Sequence, residues 1–276
     1  MRADRLARPE VTATSAKVFR PYVPLVRAEA VRAFKARYPD LELSAVVAVI
    51  AAYDEEGGIA SVLEGIATQA SGLAVDQLVI DDGSKDRTSQ IALEHGAYVA
   101  RLERNCGHGI ALRLGYELAR QHGSRYIVTL DGDGQWDPAY VPLVLEPLVV
   151  GQADFVLGSR VLGRSEDDDI FRYLGVRFFA WLVRRLTGAQ VTDTSTGLRA
   201  MRVEVTATVH QQQVQYQTPE LLIGAICQGY RVAERPIVHH KRIAGNSKKG
   251  RNLLYALRYA RVVLGTWRRE RRWRFR

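Results

Sequence analysis

The chain has 276 residues, 47% of them hydrophobic and 25% charged, and a formal net charge of +9. This length suits one large α/β domain or two small ones, and the composition excludes a disordered or fibrous chain. The longest apolar run, 45–52, is too short for a bilayer-spanning helix, which takes ~20 residues. The polar, charged N-terminus reads as lacking a secretory signal.

Residues 1–42 read as an N-terminal extension with Pro21, Pro24 and Pro39, and with a short amphipathic helix over 25–38 expected to pack on the domain after it. From residue 43 the pattern becomes β-α-β-α. Strands are expected at 44–52, 78–80, 98–102, 126–130 and 155–158, with helices at 58–70, 88–95, 109–122 and 138–150. The continuous apolar run at 44–52 suits a strand covered on both faces, so an open, mostly parallel, Rossmann-like sheet is predicted. Further on come an amphipathic helix at 170–187, a helix at 219–228, a strand at 230–239 and a basic loop at 240–250. A basic amphipathic helix covers 251–276; Leu253, Leu257, Ala260, Leu264 and Trp267 share one face, with Arg258, Arg261, Arg268 and Arg272 beside it. Such a helix suits either a membrane interface or ordinary packing with a solvated basic edge. Cys106 and Cys227 lie far apart without metal spacing and read as two free thiols in a reducing compartment.

Ligands of parallel sheets bind beyond the carboxyl ends of the strands, and the acidic clusters Asp54-Glu55-Glu56, Asp81-Asp82 and Asp131-Gly-Asp133 fall there. Asp81-Asp82-Gly83-Ser84 is equally readable as turn chemistry or as an acceptor for a nucleobase N–H. Asp131 and Asp133, with Gln135 as a third oxygen donor, suit Mg²⁺ or Mn²⁺ bridging phosphates. Arg242 and Lys248 could clamp a diphosphate or be a solvated loop. Glu220 sits where a helix dipole alone favours a carboxylate.

These segments, with Asn105-Cys-Gly107-His-Gly109, Gly158-Ser159-Arg160, Asp193-Thr-Ser195-Thr-Gly197-Leu-Arg199 and Arg242-Ile-Ala-Gly245-Asn-Ser247-Lys248, follow one another in an order that resembles glycosyltransferase family 2, over about 44–250. The subgroup of similar pattern is the polyprenyl-phosphate sugar synthases of the dolichyl-phosphate mannose synthase type. The resemblance implies a GT-A fold, with a nucleotide-sugar half at about 43–160 and an acceptor half at about 161–250. It implies inverting, Mg²⁺- or Mn²⁺-dependent transfer of a hexose from a GDP- or UDP-sugar to a polyprenyl phosphate. The donor positions are Tyr53, Glu55, Asp82, Asp131, Arg242 and Lys248; the metal-facing ones Asp131, Asp133 and Gln135; the catalytic ones Asp133, Glu220 and Arg242. Arg160, Asp193, Ser195 and Ser247 match acceptor positions. The chain departs from the family at Ala51 and Asp54, where Pro and Asn are common, and at His108, where Lys is common.

A phosphate acceptor is already ionised and needs no general base, whereas a saccharide or small-molecule hydroxyl does; Glu220 and then Asp193 are the candidates for that rival reading. The basic tail predicts an anionic membrane surface as partner, and hence a cytoplasmic protein peripheral on the inner face of the membrane. A nucleic-acid-binding role is opposed by the acidic strand ends over most of the chain, and a silent nucleotide-binding scaffold by the joint presence of Asp131, Asp133 and Gln135.

Overall fold

The computed structural model describes residues 23–166, 169–241 and 253–273. Its centre is β1 (Val46–Ala52), in which every side chain is buried. Side chains alternate faces along a strand. Accordingly Val47, Val49 and Ala51 enter one apolar cluster and Val46, Ala48, Ile50 and Ala52 the other. Removing each of its valine and isoleucine side chains from water contributes about 1.5–3 kcal/mol, so this strand tolerates no slip in register.

β1 lies between β3 (Leu73–Asp81) and β5 (Tyr126–Asp131), parallel to both. β4 (Tyr98–Arg101) runs parallel to β3 on its other side, and the two-residue β2 (Gln69–Ala70) pairs antiparallel with the start of β3. Beyond β5 the order continues through β7 (Arg199–Arg202), β6 (Phe155–Ser165) and β8 (Val232–His239). β7 is antiparallel to both of its neighbours, and β8 is parallel to β6. The result is the predicted α/β sheet of GT-A type, mostly parallel.

Helices cover both faces. α2 (Ile59–Gly65) and α5 (Val141–Val149) contribute to one cluster. α1 (Val23–Arg37), α4 (His108–Gln121), α6 (Ile170–Thr187), α8 (Gln217–Cys227) and α9 (Leu253–Trp273) contribute to the other. α3 (Thr88–Glu94) and α7 (Val203–Thr208) complete the set. α1 packs as expected through Val26, Ala30 and Phe34, and the Val99 amide donates to the Tyr38 hydroxyl at 3.2 Å. α4 approaches β1 closely because Gly115 has no side chain; a Cβ there would stand 2.4 Å from Val49 Cγ1.

Several expected elements differ. The helix predicted over 58–70 stops at Gly65, and the chain turns from β2 into β3 through Ser71 and Gly72, both at positive φ. β3 begins five residues before 78, at Leu73, because Asp76 and Gln77 are polar in a half-covered stretch. β6 runs on to Ser165, with a register shift against β8 between Ser159 and Arg164. β7 and α7 were not predicted. α9 does not present the expected apolar stripe to solvent: Tyr259, Val262, Val263, Thr266 and Glu270 face inward, Trp267 packs on the core and Leu257 is left exposed. One face of α9 is thus packed on the core. Among the described residues no helix is long and apolar enough to cross a membrane.

Candidate active site at the strand ends

Strand register brings the acidic clusters together. Ala52 pairs with Asp81, and Ala51 with Asp131. The loops after β1 and β3 are then laced by side chains accepting from backbone. The Asp54 amide donates to Ser84 Oγ (3.0 Å), Glu55 N to Thr88 Oγ1 (2.9 Å), and Lys85 N to Asp54 Oδ1 (2.7 Å). Asp54 has φ of 51°, a left-handed position that asparagine and aspartate tolerate better than other residues with side chains. The Asn-to-Asp departure is therefore conformationally conservative.

The two aspartates ending β3 divide the labour. Asp81 accepts from Ser84 N at 2.7 Å and from Ser89 Oγ, and Arg101 stands 3.6 Å away, so it holds the turn. Asp82 accepts from the amides of Cys106 (2.7 Å) and Gly107 (2.8 Å), just before α4. Burial pushes its carboxyl up to about 6, against the lowering effect of those two amides. Tyr53 is half-buried beside it; burial raises its phenol, with Asp54 and Asp82 adding to the effect. Neither cysteine forms a disulfide, and Cys106 contributes here through its backbone.

At the end of β5, Asp131 Oδ2 accepts from Trp136 Nε1 at 3.2 Å, and His108 Nε2 stands 3.6 Å from Oδ1. Gly197 makes room for this pair: a Cβ there would lie 2.3 Å from Trp136 Nε1 and 2.7 Å from Asp131 Oδ2. Asp133 is buried, and its Oδ1 accepts from Gln135 N at 3.1 Å. Gln135 is tied to the end of β8 by His240 N donating to its carbonyl at 2.9 Å. Two carboxylates and an amide oxygen thus share one turn, a hard-oxygen set that fits Mg²⁺ or Mn²⁺ with phosphate oxygens completing the sphere. Among the described residues no group of three or more His, Cys, Asp or Glu is assembled for a metal.

The acceptor-half positions are differently occupied. Arg160 meets Asp193 through Nε (2.6 Å) and Nη2 (3.2 Å), reaches Ser195 Oγ at 2.9 Å, and lies over the Trp136 ring. Burial pushes the Asp193 carboxyl up, but the charge and hydrogen bonds of Arg160 outweigh it and hold the group below the usual range. Glu220 is fully buried: Oε2 accepts from the amides of Gln212 and Gln213 (2.9 Å each), and Oε1 meets Arg269 of α9 at 3.1 Å. Neither acid has the open oxygen that proton abstraction requires. Arg242, Ser247 and Lys248 lie outside the described residues. Trp136 and Gly197 orient Asp131; in the sequence Gly197 stands out only as part of the 193–199 motif, and Trp136 only as the aromatic residue directly after the acidic turn.

Residues 47–209 match the profile of Glycosyl transferase family 2. The chain is 36% identical over 201 residues to a dolichyl-phosphate hexose transferase of Haloferax volcanii, covering 72% of this chain and 84% of that protein. It is 27% identical over 219 residues to a dodecaprenyl-phosphate galacturonate synthase of Rhizobium johnstonii, covering 76% of this chain and 62% of the relative. In fold it is similar to glucosyl-3-phosphoglycerate synthase from Mycobacterium tuberculosis, crystallised with Mn²⁺, UDP and glucosyl-3-phosphoglycerate, with a TM-score of 0.64 at 20% identity, over 95% of this chain and 86% of that one. The chain belongs to glycosyl transferase family 2, and it is a glycosyltransferase of GT-A fold.

Proposed function

We propose that the protein transfers a hexose from a UDP- or GDP-sugar to a polyprenyl phosphate, with inversion, at an anionic membrane surface. The observation that carries this reading is the register that sets Asp82, on its two backbone amides, at the same sheet edge as the Asp131–Asp133 turn, with β1 between them. Relatives named for lipid-phosphate acceptors and a structural neighbour holding Mn²⁺ and UDP support it.

In this reading the acceptor phosphate oxygen bonds to the anomeric carbon as the bond from that carbon to the diphosphate breaks on the opposite face. A divalent cation held by Asp131, Asp133 and Gln135 supplies charge neutralisation for the departing diphosphate. Asp82, when ionised, accepts from a base N–H; Tyr53 packs on the nucleoside; Glu55 faces the ribose. Arg242 and Lys248 meet the phosphates, where a guanidinium fork is worth more than a point charge. Arg160 and Ser195 form the acceptor wall, with Asp193 fixing the Arg160 fork.

The hydroxyl-acceptor reading needs Glu220 as a base. Its two engaged oxygens weigh against that, and we assign it to tying 212–213 and α9 to α8. The membrane contact falls to α6 rather than α9. Phe171, Leu174, Phe178 and Trp181 are exposed along one side of α6, Phe171 by 83%. Arg172, Arg177, Arg184 and Arg185 are on the same helix, and arginines beside exposed aromatics suit anionic headgroups. Incubation with labelled UDP- and GDP-hexoses, Mn²⁺ and a polyprenyl phosphate is expected to yield a labelled, organic-extractable product. Label transferred only to water-soluble saccharide would overturn the assignment.

A further inference from the structure

α4 also borders a cavity of about 190 Å³ between α1 and the stretch from α7 to Gln211. Its walls include Arg27 of α1, Arg113 and Arg120 of α4, Thr206 and His210, and no acidic side chain lines it among the described residues. The neighbouring acids are already engaged: Glu117 pairs with Arg27, and Glu220 with Arg269. Arg27 Nε is buried without a hydrogen-bond partner among the described residues. Arg113 gives Nη1 to the Gln213 carbonyl at 2.9 Å, and Arg120 gives Nη1 to Thr206 Oγ1 at 3.1 Å. These partners are neutral, so Arg113 and Arg120 have no directly paired acid, whereas Arg27 keeps Glu117. Burial lowers both Arg113 and Arg120; Glu220 and Glu117 respectively offset part of this, and the Arg27 charge adds to it. Two partly desolvated guanidiniums without a directly paired acid, beside a third, are costly unless an anion joins them.

We propose that this cavity binds a phosphate-class dianion, separate from the donor and acceptor sites. Planar forks converging from two helices match tetrahedral oxyanions, and a polar cavity of this size accommodates a phosphate group with its ester substituent. The loop beyond Gln211 makes the site a neighbour of the donor end. Gly109 N, at the start of α4, donates to the Val214 carbonyl at 2.8 Å, two residues from the Gly107 amide that holds Asp82.

The test is calorimetric titration of inorganic phosphate into the full chain in EDTA, with ionic strength matched by sodium chloride. Saturable single-site binding is expected. Arg120→Gln should weaken it about tenfold or more, the worth of one charge-assisted hydrogen bond. Ala207→Glu keeps all three arginines, sets a competing carboxylate on an exposed lining position of α7, and should abolish binding while raising Tm in phosphate-free buffer. Arg242→Ala should leave phosphate binding intact. Displacement by ethyl phosphate would assign the site to monoesters, and failure to displace would assign it to free phosphate. No binding beyond that of chloride, or binding weakened by Arg242→Ala but not by Ala207→Glu, would overturn the proposal.

Discussion

The strand ends and the proposed acceptor half both bury carboxylates, by different means. Asp82 rests on two backbone amides with no arginine among its hydrogen-bond donors, and its carboxyl is raised to about 6. Asp193 and Glu220 each face an arginine, Arg160 and Arg269, and each also takes backbone amides. A raised, amide-held carboxylate keeps its capacity to respond to a ligand. A buried ion pair is already satisfied, and its first task is to hold elements together. Burial of an acid in this fold therefore does not by itself mark chemistry; the partner does.

The sharpest way to break that distinction is to remove one acid from each side. Asp133→Ala should reduce kcat by about a thousandfold, the scale of losing transition-state charge stabilisation, while Tm changes little. Asp193→Ala should act the other way round, costing about 3–5 kcal/mol of stability by leaving Arg160 buried and unpaired, readable in chemical denaturation. Equal stability losses from the two variants would erase the contrast.

Asp82 gives a pH test with a definite sign. Its folded carboxyl titrates near 6 against an ordinary 3.8, so the stability tied to its protonated form is full below about pH 4 and is lost as pH rises through 6. In the proposed reaction donor binding needs the ionised form and should strengthen over the same interval. KM for the sugar nucleotide should fall between pH 5 and pH 7, and Asp82→Asn should flatten that slope while removing the stability loss. A smaller effect is expected on the outer face of α6. Phe171→Ser with Trp181→Ser should weaken flotation with anionic vesicles about tenfold, from loss of two interfacial aromatics, with donor affinity unchanged.

Much of the donor end was legible because its signals are local. Apolar runs ending in Asp-Asp-Gly-Ser or Asp-Gly-Asp-Gly give a strand, its end and a turn within a dozen residues. α6 matched its predicted span of 170–187, since Asp169 caps its start and Gly188 at φ 78° ends it. β7 was invisible because Arg199 reads as polar, yet it is buried and donates to Thr129 Oγ1 and Gln217 Oε1. The partners of Glu220 and the buried side of α9 depend on contacts across about fifty residues, such as Glu220–Arg269, which no local pattern encodes. The tail's apolar stripe was real, but tertiary packing chose a face rotated from it.

In the proposed reaction the acceptor arrives already ionised and needs no protein base. The direct measurement is transfer of labelled hexose to a polyprenyl phosphate and to the matching polyprenol, side by side, with the same donor and Mn²⁺. A labelled lipid product is expected from the phosphate and none from the alcohol. Comparable transfer to the alcohol, abolished by Glu220→Gln with donor binding intact, would contradict it.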